Sequence, residues 1–317
     1  MIGFNLQKTK RHFTEALAER FPQREAEQLM RILLEDLFGI DWTQQLMNPD
    51  LRIDDHQHDQ LSEAIKRLLA GEPVQYMTGM VRFNDLLIKV SPAVLIPRPE
   101  TEELVQKICT SLPCHSAVES AAMSFQRGHV WGRESMAAVY KRDNFPLRIW
   151  DIGTGSGCIA IALAKQFLNA EVIAFDVSEE ALQIAKENAK TNGANVTFVH
   201  DDVLNPTSDY FYQPVDLVVS NPPYVCDSER AAMETNVLDW EPETALFVPD
   251  DDSLRFYRRI LVLAKNQLTP SGQVWFEINE RMGKEMLSLC REMGFSNAEV
   301  LDDFAGKPRF VKTWTVE

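Results

Sequence analysis

Residues 147–158 read Leu147-Arg148-Ile149-Trp150-Asp151-Ile152-Gly153-Thr154-Gly155-Ser156-Gly157-Cys158. A short apolar strand over 147–151 runs into a glycine turn, and an apolar helix follows over 158–167. Glycine tolerates positive φ and carries no Cβ, so this loop can turn tightly and let its backbone approach a ligand. Downstream, 171–176, 196–200, 215–220 and 273–278 read as strands. Helices at 179–190, 253–267 and 281–293 separate them, and strands near 298–301 and 310–316 end the pattern. Such alternation predicts an α/β unit with a parallel, doubly wound sheet and helices on both faces.

The loop spacing is G-x-G-x-G, one residue shorter than the dinucleotide fingerprint. Gly153, Thr154, Gly155, Ser156 and Gly157 are the expected cofactor cradle. Asp176 closes the next strand, where its carboxylate can accept hydrogen bonds from both ribose hydroxyls. Asp151 puts an acidic group where a pyrophosphate would otherwise sit. That repels phosphate and suits the cationic amino-acid end of S-adenosylmethionine. Asp202 follows the third strand, in position to bond an adenine amino group.

The strand at 215–220 leads into Asn221-Pro222-Pro223-Tyr224. Two prolines cannot continue a sheet and hold φ near −65°, so a stiff bend is expected at its carboxyl edge. An NH2 group has two donors. The side-chain oxygen of Asn221 and the main-chain oxygen of Pro222 can each take one, and Tyr224 can stack on a planar group. Asn221, Pro222 and Tyr224 are therefore the expected catalytic residues, methylating an amide or amine nitrogen by positioning.

North of this unit the chain changes character. Its first 70 residues read as helical. In 22–39, Ala26, Leu29, Met30, Leu33, Leu34 and Leu37 form an amphipathic stripe, with Pro22 at the start and Gly39 at the stop. A second stripe, Leu61, Ala64, Ile65, Leu68 and Leu69, ends at Gly71-Glu72-Pro73, with Asp54 or Asp55 as N-cap. Residues 81–83 and 86–90 flank Asn84-Asp85 as a hairpin, and a helix starts near Pro99. The expected organisation is a helical docking domain at 1–73, a hairpin linker at 74–98 and a catalytic domain at 99–317. A surface insertion is expected at about 110–145, where no periodicity is visible.

The chain has 317 residues and a formal net charge of −15, with no dense Lys/Arg block. Such a surface disfavours non-specific nucleic-acid binding. No apolar run reaches the ~20 residues of a membrane span, and no signal-peptide pattern opens the sequence. Five dispersed Cys fit a reducing cytoplasm. Cys109 and Cys114 have no second pair at ligand spacing, so no metal is expected.

Four blocks resemble the PrmC/HemK family, the release factor N5-glutamine methyltransferases. They are Gly71-Glu72-Pro73-Val74-Gln75-Tyr76, Leu95-Ile96-Pro97-Arg98-Pro99-Glu100-Thr101-Glu102, the loop 151–157 and Asn221-Pro222-Pro223-Tyr224. Glu241-Pro242, Ala245-Leu246, Asp303, Gly306-Lys307 and Arg309-Phe310 extend the likeness. The resemblance implies a Rossmann-like, seven-stranded class I S-adenosylmethionine-dependent methyltransferase domain behind a helical N-terminal domain. It implies methyl transfer to the glutamine of a Gly-Gly-Gln loop in peptide chain release factors. Separately, the chain is expected to be a monomer in the cytoplasm. Cofactor contacts would fall on 153–157, Asp176, Asp202, Val203 and Asn221. Asn221, Pro222, Pro223 and Tyr224 would hold the glutamine, with Arg98, Glu100 and Thr101 in the same cavity. Three features depart from the family: the long segment before the first strand, Val203 in place of an aromatic, and Phe247-Val248-Pro249-Asp250 in place of a glycine-rich turn. Other readings are a glutamine methyltransferase of a large-subunit ribosomal protein, a DNA or RNA amino-group methyltransferase, and a non-catalytic release-factor-binding protein.

Overall fold

The computed structural model describes residues 3–112 and 146–315, so the expected insertion lies almost wholly outside the described residues. The chain divides into two compact units. The first comprises Met1–Met80, Val90–Pro92 and Met233–Glu241; the second comprises Val81–Lys89, Ala93–Ala232 and Pro242–Glu317.

The first unit is helical. Strand β1 (Phe4–Asn5) is followed by helices α1 (Leu6–Leu17), α2 (Gln23–Phe38) and α3 (Trp42–Met47). Strand β2 (Arg52–Ile53) pairs antiparallel with β1 and leads to α4 (Asp55–Leu69) and α5 (Val74–Thr78). Helix α2 stops where Gly39 takes a left-handed conformation at φ 66°. Asp54 caps α4 in a capping box with Gln57. The two stripes meet as one core, in which Leu17, Met30, Leu33, Leu34, Leu61 and Leu68 are buried.

A hairpin follows, β3 (Met80–Phe83) and β4 (Leu86–Lys89), turning at Asn84, whose φ is 49°. The stretch expected as one linker is therefore split. Val74–Thr78 is a helix of the first unit, while residues 81–89 belong to the second. The reason is side-chain pairing to the β4 backbone, described below.

The second unit continues with α6 (Pro99–Ser111), β5 (Arg148–Ile152), α7 (Cys158–Gln166), β6 (Glu171–Asp176), α8 (Glu179–Asn192), β7 (Thr197–His200) and β8 (Val215–Ser220). Next come β9 (Val225–Cys226), α9 (Thr235–Trp240, in the first unit), α10 (Glu243–Leu246) and β10 (Phe247–Val248), which pairs parallel with β9. Helix α11 (Arg255–Gln267), β11 (Leu268–Glu277), α12 (Gly283–Glu292), β12 (Asn297–Asp302) and β13 (Pro308–Trp314) complete it.

Seven strands form one sheet in the order β12-β13-β11-β8-β5-β6-β7. The expected doubly wound, seven-stranded sheet is present, with one strand reversed: β13 runs antiparallel to both β11 and β12. The physical reason is the short turn at 303–307, since a connection that brief can only return the chain antiparallel. The chain crosses from β5 outward to β6 and β7, then back to β8 on the other side of β5. That reversal opens a crevice at the carboxyl ends of β5 and β8, where the two motif loops lie. Trp150, Phe175 and Phe211 pack edge-to-face and stacked beneath it.

Candidate functional site

The loop after β5 is built around Asp151. This carboxylate is fully buried, and its Oδ2 accepts from Thr154 Oγ1 at 2.6 Å and from the Ala160 amide at 3.1 Å. It thereby ties the loop to the first turn of α7. Its Oδ1 has no hydrogen-bond partner, and burial pushes the acid up to about 7. Gly153, Gly155 and Gly157 all have positive φ. Gly157 is needed twice over, because a Cβ there would lie 3.0 Å from Ala185 Cβ on α8.

Asp176, at the end of β6, faces this loop. Its Oδ2 accepts from the Gly155 amide at 2.8 Å and its Oδ1 from the Ser178 amide at 2.9 Å. Burial raises its pKa against those backbone donors. Asn188 on α8 braces the cradle from behind, its Nδ2 donating to Ser156 O at 2.9 Å and Lys89 O at 3.0 Å. Its Oδ1 accepts from the Lys89 amide at 2.7 Å, and Asn192 repeats the pairing at Leu87. These bonds hold the hairpin in the second unit.

One cavity joins these parts, with about 1120 Å³ of empty space including its open mouth. Gly153, Thr154, Gly155, Ser156, Asp176, Asp202, Val203, Asn221, Pro222, Pro223, Arg98 and Thr101 all line it. The structure thus brings together most of the residues singled out in the sequence. Gly157, Glu100 and Tyr224 are not in its wall. Gly157 lies against α8 instead. Glu100, implied as a cavity residue, acts from a distance by raising the pKa values of Glu277 and Tyr224. Tyr224, expected to stack on a substrate, packs against the core and donates its hydroxyl to Glu277 Oε1 at 3.4 Å. Asp202 already serves its own turn, accepting from the Leu204 amide and Asn205 Nδ2.

Sequence reading missed three participants. Asn188 is one. Phe256 on α11 is another: it lines the cavity with Val203, so an aromatic ring is present although position 203 lacks one. The third is Glu277 at the end of β11, 2% exposed and pushed by burial up to about 7. Its Oε2 accepts from Thr101 Oγ1 at 2.7 Å, and Thr101 Oγ1 accepts from Asn221 Nδ2 at 3.3 Å.

The wall chemistry suits a nucleoside with a cationic tail. Asp176, Asp201 and Asp202 line the cavity together with the glycine loop, and among the described residues Arg98 is the one basic lining residue. The orphaned Asp151 Oδ1 adds an acceptor beneath it. Val177, next to Asp176, lines the cavity and is 59% exposed, an apolar side chain that a purine face would cover. Among the described residues, no cluster of three or more His, Cys, Asp or Glu could hold a metal ion.

Comparison with known proteins agrees with this geometry. A model of the PrmC N-terminal domain matches residues 9–79, and one of the methyltransferase small domain matches residues 136–239. The release factor glutamine methyltransferase of Bacteroides thetaiotaomicron is 38% identical over 300 residues, covering 95% of this chain and 96% of that protein. The chain belongs to the release factor glutamine methyltransferase family. The member from Flavobacterium psychrophilum is 39% identical over 300 residues, covering 95% of each chain. That of Lactococcus lactis is 38% identical over 261 residues, covering 82% of this chain and 84% of its own. Membership agrees with the strand order and with the two loops that meet in the cavity.

Proposed function

We propose that this chain transfers a methyl group from S-adenosylmethionine to the side-chain amide N5 of the glutamine in the Gly-Gly-Gln motif of peptide chain release factors. The observation that carries this reading is the position of Asn221 in the same cavity wall as the glycine loop and Asp176. Family membership narrows the acceptor to a glutamine amide. When bound, the cofactor supplies an electrophilic methyl on a sulfonium.

Gly153 to Ser156, with Gly157 shaping their turn, hold the cofactor's amino-acid end, Asp176 its ribose, and Asp202 and Val203 its base. Asn221 Nδ2 is spent on Thr101, which leaves Oδ1 as an acceptor for the substrate. Asn221 Oδ1 and Pro222 O take the two amide hydrogens, and Pro223 stiffens the bend. An amide nitrogen is a poor nucleophile because its lone pair is delocalised. Clamping both N–H groups would turn the face of the nitrogen toward the methyl. As the C–N bond forms the S–C bond would break to leave a neutral thioether, and the acidified proton would pass to water at the open mouth of the cavity. The barrier is lowered by orientation and by acceptors placed where positive charge develops. Tyr224 supports the bend from the core side, and Arg98 meets the substrate at the wall.

The helical residues 1–73 dock the release factor, and residues 99–317 carry the chemistry. The chain works as a cytoplasmic monomer. Among the described residues no helix is long and apolar enough to cross a membrane, and the charge of −15 disfavours a nucleic-acid partner.

The test is incubation with labelled cofactor and either purified release factor or ribosomal subunits, with the label located by mass spectrometry. Label on the Gly-Gly-Gln glutamine is expected. Label on a ribosomal protein alone would overturn the substrate assignment. Asn221→Ala should keep cofactor binding and lose most transfer, at least about 100-fold in kcat.

A further inference from the structure

Behind the Asn-Pro-Pro-Tyr bend, side chains from three distant segments form one hydrogen-bonded line. Asn221 Nδ2 lies 3.3 Å from Thr101 Oγ1 at the start of α6. Thr101 Oγ1 lies 2.7 Å from Glu277 Oε2 at the end of β11. Tyr224 closes the line from the other side, its hydroxyl 3.4 Å from Glu277 Oε1. Thr101 and Glu277 are both buried, at 3% and 2% exposure.

The two ends of the Asn221 carboxamide have nearly the same shape and opposite hydrogen-bonding sense. One is an acceptor and the other a double donor. A half-turn of the amide would present N–H groups to an incoming NH2, and donor would face donor. The prolines hold the backbone and leave this side-chain torsion free. Thr101 alone cannot choose, because a hydroxyl both donates and accepts. A carboxylate accepts only. With Glu277 ionised, the Thr101 hydrogen must go to Oε2, and the Thr101 lone pair is left for Asn221 Nδ2.

We infer that Glu277 and Thr101 are positioning residues that set the sense of the Asn221 amide, so that Oδ1 and never Nδ2 meets the substrate N–H. This inference rests on the glutamine-amide reading and deepens it. It also gives a reason for a buried acid at this strand end. A charge there is costly, and the two hydroxyl donors offset only part of the cost. A neutral residue would not force a direction.

Glu277 is surrounded on every side. Arg309 on β13 favours its charge and Glu100 on α6 opposes it. Tyr224 follows β8, Cys158 opens α7, and Tyr257 on α11 donates to the main-chain oxygen of Glu277 at 3.0 Å. Arg98 faces Tyr224. Burial outweighs Arg309, so the acid gains its proton near neutral pH. Once protonated, its O–H can donate to Thr101, Thr101 can donate to Asn221 Oδ1, and the amide turns over. The competent form is the ionised one, and kcat should rise with pH through about 7.

The experiment compares wild type, Thr101→Val, Thr101→Ser and Glu277→Gln in two readouts. The first is kcat for methylation of a release factor across pH at saturating cofactor, with cofactor affinity measured in parallel. Thr101→Val should lose about 10- to 100-fold in kcat at unchanged cofactor affinity. Thr101→Ser should recover most of the loss. Glu277→Gln, whose amide oxygen can still take the Thr101 hydrogen, should lose less than Thr101→Val and lose the rise through neutral pH. The second readout is the 15N resonance of the Asn221 side-chain amide, assigned by its disappearance in Asn221→Asp. It should move with pH in the wild type and stand still in Thr101→Val and Glu277→Gln. Wild-type kcat in Thr101→Val, or a wild-type amide resonance that ignores pH, would overturn the inference. A wild type that leaves the release factor unmodified counts against the substrate reading instead, and the amide resonance still decides the relay. Should Thr101→Val not fold, Glu277→Gln and the wild type carry that measurement.

Discussion

The side-chain nitrogen of Asn188 lies 2.9 Å from the main-chain oxygen of Ser156, so a residue in the middle of α8 props up the cofactor loop from beneath. The same side chain exchanges two bonds with the backbone of Lys89 on the hairpin. Loop, helix and hairpin therefore share one fastening. Replacing Asn188 with Ala would leave three buried or part-buried backbone groups without partners. Each costs roughly 1–3 kcal/mol, so Asn188→Ala should lose at least about 3 kcal/mol in urea denaturation. It should also weaken cofactor binding in calorimetry, although position 188 is absent from the cavity wall. Wild-type stability and affinity would show the fastening to be dispensable.

Gly157 and Gly153 differ in what surrounds them. Both have positive φ, but an added Cβ at Gly153 meets nothing within 4 Å, whereas at Gly157 it meets Ala185 at 3.0 Å and Ile161 at 3.2 Å. Gly153→Ala should cost about 1–2 kcal/mol from backbone strain alone. Gly157→Ala should cost more, with α7 and α8 forced apart. Thermal melts of the two variants give the comparison, and equal melting temperatures would mean that the helices yield freely.

Phe256 offers the cavity an aromatic face that position 203 does not. Phe256→Ala should weaken cofactor binding about 5- to 30-fold, the worth of one stacked ring at roughly 1–2 kcal/mol. Phe256→Leu should fall between. Calorimetry with the demethylated cofactor product avoids turnover. An unchanged Kd for Phe256→Ala would remove this residue from the binding site.

Two buried acids make stability depend on pH with an unusual sign. Asp151 and Glu277 are both pushed up to about 7, from ordinary values of 3.8 and 4.5. The folded chain therefore holds these protons longer than the unfolded chain does. Their contribution is complete below the unfolded values and is lost as pH rises through about 7. Glu277→Gln removes one share of that loss. Its stability relative to wild type should improve between about pH 5 and 8, by on the order of 2–3 kcal/mol. A gap that stays constant across this range would mean that Glu277 is ionised throughout.

Much of the fold was legible from period and punctuation. Short apolar runs placed β6 at 171–176 and β8 at 215–220, with the bounds the structure has. The glycine loop and the proline bend announced themselves because their chemistry is local: a few adjacent residues specify a turn. Glu277 did not, since Phe276-Glu277-Ile278 reads as an apolar strand end with one charge, and nothing nearby tells that the charge is buried. Its partner Thr101 lies 176 positions away. Asn188 likewise reads as a surface residue of α8 until the hairpin is placed against it. The antiparallel course of β13 was hidden because period alone does not give a strand its direction. For Tyr224 the sequence shows its place in a motif and not the side from which its ring packs.

Strand β13, the latest of the seven in the chain, is not an edge: it is inserted between β11 and β12. During synthesis the amino end leaves the ribosome first. Until residues 308–314 emerge, β11 lacks its outer neighbour and β12 has no neighbour at all. Nascent chains of this protein must then carry unpaired strand backbone until residues 308–314 have emerged, a state prone to association and to capture by chaperones. A stop codon that removes only this last strand would leave a gap inside the sheet rather than a shortened border, and such products should be found in inclusion bodies or degraded.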